Sequence, residues 1–341
     1  MSGLRLMGCI MISILIPCYN RESLVGATIE SALAQTRQDI EVIVVDNQST
    51  DDSWNVIQLL AAKDSRIRIF QNETNVGPVR NWKRCLDEAR GDYGKILWSD
   101  DLISPYFLEK TVPFLEKRPD IGFVYTDYRY FHQAVTDSVT GCEFGSSGIY
   151  PVSQYVETAF SGGLIPYSPA NALFRLSDLR QSLMIDVPNK LGSDFAMHCI
   201  GNDLLIYLNI TLKYAYFAII AESLAFFRIH HGAISIESGE KKLTLHYNLA
   251  KAYFVETYRP DLIRRHNTQI WLSLIGVKEA RLYKMHRVSD FYRTNTDTRL
   301  DYPFLIYRII QKLIRYCCKK IQILNLSLFS NCKHLYLKII K

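Results

Sequence analysis

The eight cysteines, Cys9, Cys18, Cys85, Cys142, Cys199, Cys317, Cys318 and Cys332, contain no CxxC pair and no Cys/His spacing of a zinc site. That excludes a structural zinc and a thioredoxin-type centre, and it predicts free thiols in a reducing, cytoplasmic compartment. No uncharged apolar stretch approaches the ~18 residues of a membrane-spanning helix. The N-terminal LRLMGCIMISILIP has the basic residue and apolar run of a secretion signal, but it lacks a small-residue cleavage site and runs into PCYN, so it reads as a first strand. Low-complexity tracts and repeats of fixed period are missing too. Acidic residues are lacking after Tyr302, where eight Lys and Arg stand. Since the whole chain carries only +6, the body is mildly acidic, which argues against a nucleic-acid-binding core.

What is present is the composition of a globular protein, 48% hydrophobic and 22% charged, on 341 residues. That length suits one large α/β unit with a smaller appendage. Short apolar runs alternate with helical patterns over the first 130 residues. Strands are predicted at 11–17, 40–46, 66–70, 93–100 and 121–127, several without polar alternation, as when helices cover both faces of a sheet. Helices are predicted at 22–36, 51–63 and 77–90, the last with Pro78 in its first turn and Val79, Trp82, Leu86 and Ala89 on one face. The fold class is therefore doubly wound α/β. From about 128 to 235 the pattern is mixed, with strands at ANALFRL and ESLAFFRIH and a short helix at GSDFAMHCIGN; beyond 240 it reads as helical.

Ligands of parallel α/β sheets gather at the carboxyl ends of the strands. Two predicted strands end in acid there: IEVIVVD in Asp46, and the run through ILWSDD in Asp100 and Asp101. Adjacent carboxylates repel unless a cation or donors lie near them, and hard divalent ions prefer such oxygens, completing their shell with phosphate and water. The alternative is that one of the two caps a helix beginning near Ser104, with Pro105 in its first turn.

SILIPCYNRESLVGATIESALAQT, IEVIVVDNQSTDDS and NVGPVRNWKRCLDEARGDYGKILWSDDLISP resemble, in order and spacing, the family 2 glycosyltransferases of GT-A fold, in particular the bacterial branch that builds polysaccharide and O-antigen repeat units. The resemblance covers residues 11–130 strongly and 165–235 weakly. It implies a GT-A domain over 1–235, with a nucleotide-binding half at 11–130 and an acceptor half at 131–235, followed by a helical region over 236–341. The implied activity is inverting transfer of a hexose or related sugar from a nucleoside-diphosphate sugar to a glycan hydroxyl. By the same resemblance Pro17 and Tyr19 line the nucleotide base, Asp46 accepts a hydrogen bond from it, and Arg80 lies near the nucleotide. Asp100 approaches the ribose or metal, Asp101 binds Mg or Mn at the diphosphate, His230 completes the metal shell, and Asp194 in LGSDFAMHC is the catalytic base.

Each residue also has a structural reading. Tyr19 suits a partly buried aromatic, Asp46 a turn cap before Asp51 and Asp52, Arg80 a solvated helix charge, Asp194 an N-cap, and His230 a strand-end histidine. Lys95 either supports the acids or alternates outward. In the tail 303–341, Ile306, Ile310, Leu313 and Cys317 form one stripe of a helix from Leu305 to about Leu324, and Arg308, Lys312, Arg315 and Lys319 repeat about 200° away. The family's lipid-linked acceptors, carried on undecaprenyl diphosphate, imply an anionic membrane surface on the cytoplasmic side as this helix's partner; the alternative is that the stripe packs on the body. Two other functions compete: a nucleotide-sugar-binding scaffold without chemistry, and a sugar nucleotidyltransferase, which needs a glycine-rich phosphate loop that PCYNRESL lacks.

Overall fold

Apolar runs without alternation become the parallel core of one sheet, seen in a computed structural model that describes residues 10–314. Every residue of β1 (Ile12–Cys18) and β2 (Ile40–Asp46) is buried, as a strand covered on both faces requires. The other strands are β3 (Ile67–Gln71), β4 (Tyr93–Ile96), β5 (Leu102–Ile103), β6 (Ile121–Phe131), β7 (Val139–Cys142), β8 (Gly148–Pro151), β9 (Ala172–Arg175) and β10 (Tyr216–Arg228). Their order is β3-β2-β1-β4-β9-β6-β10-β5, with β7 against β6 and β8 against β10. The first four are mutually parallel, and the antiparallel β9 lies between β4 and β6. The reversal at β1, from β2 and β3 on one side to β4 on the other, is the switch point where a doubly wound sheet opens a ligand crevice.

The helices are α1 (Val25–Leu33), α2 (Ser53–Ala61), α3 (Pro78–Glu88), α4 (Phe107–Lys117), α5 (Val152–Ser161), α6 (Leu176–Ser182), α7 (Phe195–His198), α8 (Asn202–Thr211), α9 (Ile234–Tyr258) and α10 (Ile263–Leu274), followed by α11 over 302–314. Pro78 opens α3, where its missing N–H costs nothing, and Val79, Trp82, Cys85 and Leu86 make the buried face. The predicted strand at 93–100 is shorter than its apolar run: β4 stops at Ile96, and the acids stand in the loop that follows.

Two apolar clusters cover the two faces of the sheet. The larger one joins Phe123, Phe174 and Phe217 of the sheet to Tyr155 of α5 and Tyr207 of α8, and it continues into Leu245, Leu249 and Phe254 of α9. Each such fully buried side chain contributes roughly 1.5–3 kcal/mol. The helices after Ile234 thus share the core of the sheet. Cys18, Cys85, Cys142 and Cys199 are buried free thiols. Among the described residues no helix is long and apolar enough to cross a membrane.

Candidate functional site

Asp100 and Asp101 are brought to their partners by a short piece of sheet. After β4 the chain turns, and β5 pairs antiparallel with the end of β10, Ile103 opposite Ala225 and Leu102 opposite Phe226. That register sets Arg228 and His230 beside the two acids. The Arg228 amide donates to Asp101 Oδ1 at 2.9 Å, and its guanidinium donates to the Asp100 carbonyl at 3.0 Å while lying 4.4 Å from the Phe131 ring centre. From the first βα loop, Arg21 donates to Asp100 Oδ2 at 3.3 Å and to the Gly232 carbonyl at 2.8 Å. Arg21 therefore ties three loops together.

The two carboxyls have opposite electrostatics. Burial raises the pKa of Asp100, but the hydrogen bond from His230 and the charge of Arg21 outweigh it and hold the group below the usual carboxylate range. For Asp101 burial comes first, the neighbouring Asp100 adds to it, and the pKa rises well above the ordinary value. His230 Nε2 lies 2.9 Å from Asp100 Oδ2 and its Nδ1 lies 2.6 Å from the His231 carbonyl. With both ring nitrogens facing oxygen acceptors the imidazolium is favoured, and the pKa of His230 is raised. Lys95 is fully buried, its Nζ 4.5 Å from the Phe107 ring centre and donating to the carbonyls of Ile96 and Ala170. Burial pulls its pKa down to about 7 against the opposing field of Asp101. So Lys95 points inward, toward the acids, and does not alternate outward.

Asp100 and Asp101 fit a hard divalent cation that keeps phosphate and water ligands, because a buried, like-charged carboxyl pair is what such an ion relieves. The chain alone offers an open set: among the described residues no group of three or more His, Cys, Asp or Glu is arranged to hold a metal ion. His230, expected in the metal shell, has its Nε2 on Asp100 Oδ2, one of the two carboxylates that would hold the ion.

The residues expected at the nucleotide divide. Pro17 is buried near the end of β1, and Tyr19, 40% exposed, stands just beyond it with a face open to solvent. Asp46 is fully buried; Oδ1 accepts from the Ser49 hydroxyl, and Oδ2 from the Ser49 amide and Gln71 Nε2, both at 3.0 Å. It caps its own turn and keeps one acceptor site, on Oδ1, unused by these three donors. Arg80 is exposed on α3 and lies 3.7 Å from Asp186, itself exposed. The structure does not bring Arg80 to the acids.

Asp194 is exposed, and its Oδ1 accepts from the Met197 amide at 3.2 Å, the N-cap of the four-residue α7. Nine residues later a second acid opens the next helix. Asp203 is 8% exposed, in the first turn of α8. Its Oδ1 accepts from the amides of Gly201 (3.2 Å) and Leu204 (2.8 Å), and its Oδ2 from the Tyr247 hydroxyl at 2.6 Å. Burial pushes its pKa up to about 6 against those hydrogen bonds. Gly201 makes this packing possible: its φ is +109°, and a Cβ there would stand 2.6 Å from Ala250 Cβ. One turn along α8, Tyr207 donates to the Ser168 carbonyl at 3.0 Å, and the Ser168 hydroxyl accepts from Trp98 Nε1 at 2.9 Å. Trp98 precedes the acid pair by two residues, so Asp203 is linked to the loop after β4. Sequence reasoning missed Asp203, Arg21 and Arg228. For Asp203 a signal existed, since GND at the start of an apolar helix has the same form as GSD. Asp194→Ala is expected to lower stability by about 1 kcal/mol, the loss of an N-cap, and to leave turnover within twofold; denaturant melts and initial rates check this.

Residues 13–178 match the family model described as Glycosyl transferase family 2. The chain is 41% identical over 105 residues to an uncharacterized glycosyltransferase of Haemophilus influenzae, covering 31% of this chain and 42% of that one. It is 36% identical over 118 residues to the UDP-Glc:alpha-D-GlcNAc-diphosphoundecaprenol beta-1,3-glucosyltransferase WfaP of Escherichia coli, covering 35% and 46%. These matches span somewhat under half the length of those relatives. Among solved structures, S. aureus TarS 1-349 in complex with UDP-GlcNAc superposes with a TM-score of 0.54 over 87% of this chain and 79% of that one, at 19% identity, a likeness of fold. The mostly parallel sheet and its switch point at β1 are thus those of the GT-A fold, and residues 13–178, just under half of the chain, match family 2 of the glycosyltransferases.

Proposed function

We propose that the protein transfers a sugar, with inversion, from a nucleoside-diphosphate sugar to a hydroxyl of a glycan acceptor carried on a lipid diphosphate. The observation that carries this reading is the pair Asp100/Asp101, held at the sheet's switch point by Arg21, Arg228 and His230, with the open face of Tyr19 alongside for a nucleobase. Mg or Mn, held there by the two carboxylates, would neutralise the departing nucleoside diphosphate. The lipid-linked acceptor is supported by the name of the E. coli relative.

Inversion needs a base on the face of the sugar opposite the leaving group. We assign that role to Asp203 in place of Asp194. A carboxyl with pKa near 6 is ionised at neutral pH yet basic enough to take the acceptor's proton as the new glycosidic bond forms. Tyr247 and the amides of Gly201 and Leu204 fix its orientation. Asp194 is exposed and its Oδ1 is engaged by the Met197 amide as a helix cap. The test supplies the full-length chain with a panel of nucleotide sugars, a lipid-diphosphate acceptor and Mn. Nucleoside diphosphate release that requires acceptor and stops with chelator is expected. Pyrophosphate release would instead identify a nucleotidyltransferase, and binding without turnover a scaffold; either overturns the proposal.

A further inference from the structure

Helix α11 is fastened to the body by one side only. Phe304 is buried beneath the guanidinium groups of Arg265 and Arg308, 5.3 and 5.8 Å from its ring centre, and Arg308 donates to the Ser161 carbonyl at the end of α5. On the opposite side, Tyr302, Ile306, Ile309, Ile310 and Leu313 follow one another at helical spacing, and all are exposed. The stripe expected to be apolar is therefore apolar and, over the described residues, does not pack on the body; Cys317, Arg315 and Lys319 lie outside the described residues. Beside the helix, Leu300 lines a cleft at Tyr302 whose other walls are largely charged, Glu157, Asp261 and Asp301 among them, and an adjoining cleft with Trp271, exposed on α10, and Ile275, exposed just after it.

An apolar stripe of this kind on a globular protein marks an interaction face, and its charge selects the partner. From Tyr302 onward the chain has eight basic residues and no acidic one. A second copy would bring the same basic stretch against itself, and the chain's own residues 315–341 carry six of those charges. Both would meet like charge. Exposed aliphatic side chains on a stretch of chain whose charges are all basic match a layer whose interior is hydrocarbon and whose surface is anionic.

We propose that the solvent-facing side of α11 is the surface by which the protein lies on an anionic lipid bilayer, with its helix axis in the membrane plane. The inference does not depend on which sugar is transferred, or on whether transfer occurs. It is tested by sedimenting the full-length protein with phosphatidylglycerol and with phosphatidylcholine vesicles, beside the triple variant Ile306→Asp, Ile310→Asp, Leu313→Asp. These positions are exposed, so the variant is expected to keep the wild-type melting temperature and the wild-type rate on a water-soluble acceptor. The phosphatidylglycerol concentration for half-binding is expected to rise about tenfold or more in the variant, and wild-type binding to weaken by a similar factor on phosphatidylcholine or in high salt. Equal sedimentation of variant and wild type overturns the proposal. So does a lipid-free dimer in sedimentation velocity that the three substitutions dissolve, which would assign the face to a second copy.

Discussion

Asp203→Asn is expected to lower turnover by between about 10² and 10⁴-fold, the range a positioned general base contributes, while the protein becomes no less stable at neutral pH. The two effects have one cause. Asn keeps the shape of the side chain: its carbonyl oxygen still accepts from the amides of Gly201 and Leu204, and its amide can donate to the Tyr247 hydroxyl, which also accepts. What it loses is a charge that the fold tolerates poorly. The carboxyl's pKa rises from 3.8 to about 6 on folding, so between those values the native state binds more protons than the unfolded chain. Stability therefore falls as pH climbs through that interval and levels off above it, a cost on the order of 2–3 kcal/mol once the group is ionised. The Asn variant has no such decline. At pH 8 its melting temperature is expected to equal or exceed that of the wild type, and at pH 4 the advantage disappears. Activity supplies the complementary readout: wild-type kcat/KM rises with pH through about 6 to a plateau, and the residual rate of the variant lacks that limb. A variant that retains the wild-type rate, or a wild-type profile without the limb, would remove Asp203 from the chemistry.

How much of this was legible in the sequence depends on the range of the interactions concerned. The strands β1 and β2 announce themselves because burial on both faces removes alternation, a property of seven consecutive residues. Helix α3 is equally local, with Pro78 fixing its start and Val79, Trp82 and Leu86 its inner face. The acid pair is visible because two adjacent charges after an apolar run are costly in any fold. What surrounds the pair is not visible. Arg228 meets Asp101 across 127 residues, and it does so by a backbone amide, which every residue but proline possesses. Arg21 reaches Asp100 across 79 residues. The choice between Asp194 and Asp203 shows the same limit more sharply, because both follow a Gly-x step and open a helix. Burial and Tyr247 set them apart, and Tyr247 arrives from α9, 44 residues later. Lys95 is similar: its neighbours in sequence allow it either face of β4, and the Phe107 ring and the Ala170 carbonyl decide for the inner one. Asp46 shows the reverse case, a short-range turn with Ser49 that local reasoning offered as one of two readings.

Asp101→Asn is expected to lower transfer by about 10²–10³-fold, and Asp100→Asn should also impair it, yet the two substitutions are expected to move stability in opposite directions. Each removes one charge from the same pair and a site for the cation, and electrostatic contacts of this kind to a transition state carry effects of that size singly. The resting protein distinguishes them. Asp100 is held ionised by His230 and Arg21, so its charge stabilises the fold at neutral pH and that contribution is lost as pH falls through its depressed pKa. Neutralising it leaves two cationic groups without their carboxylate, and the melting temperature falls. Asp101 is the opposite case: burial and the adjacent charge raise its pKa, so stability declines as pH rises from the ordinary carboxylate range toward the raised value. An Asn there still accepts from the Arg228 amide and relieves the repulsion, so the metal-free variant melts at or above the wild type. Melting curves with and without Mn and a nucleoside diphosphate separate the roles: ligand should raise the wild-type midpoint and leave that of Asp101→Asn nearly unmoved. If Mn and nucleotide stabilise the Asp101→Asn protein as strongly as the wild type, the cation is held elsewhere, and the reading of the strand-end pair as the site of the diphosphate fails with it.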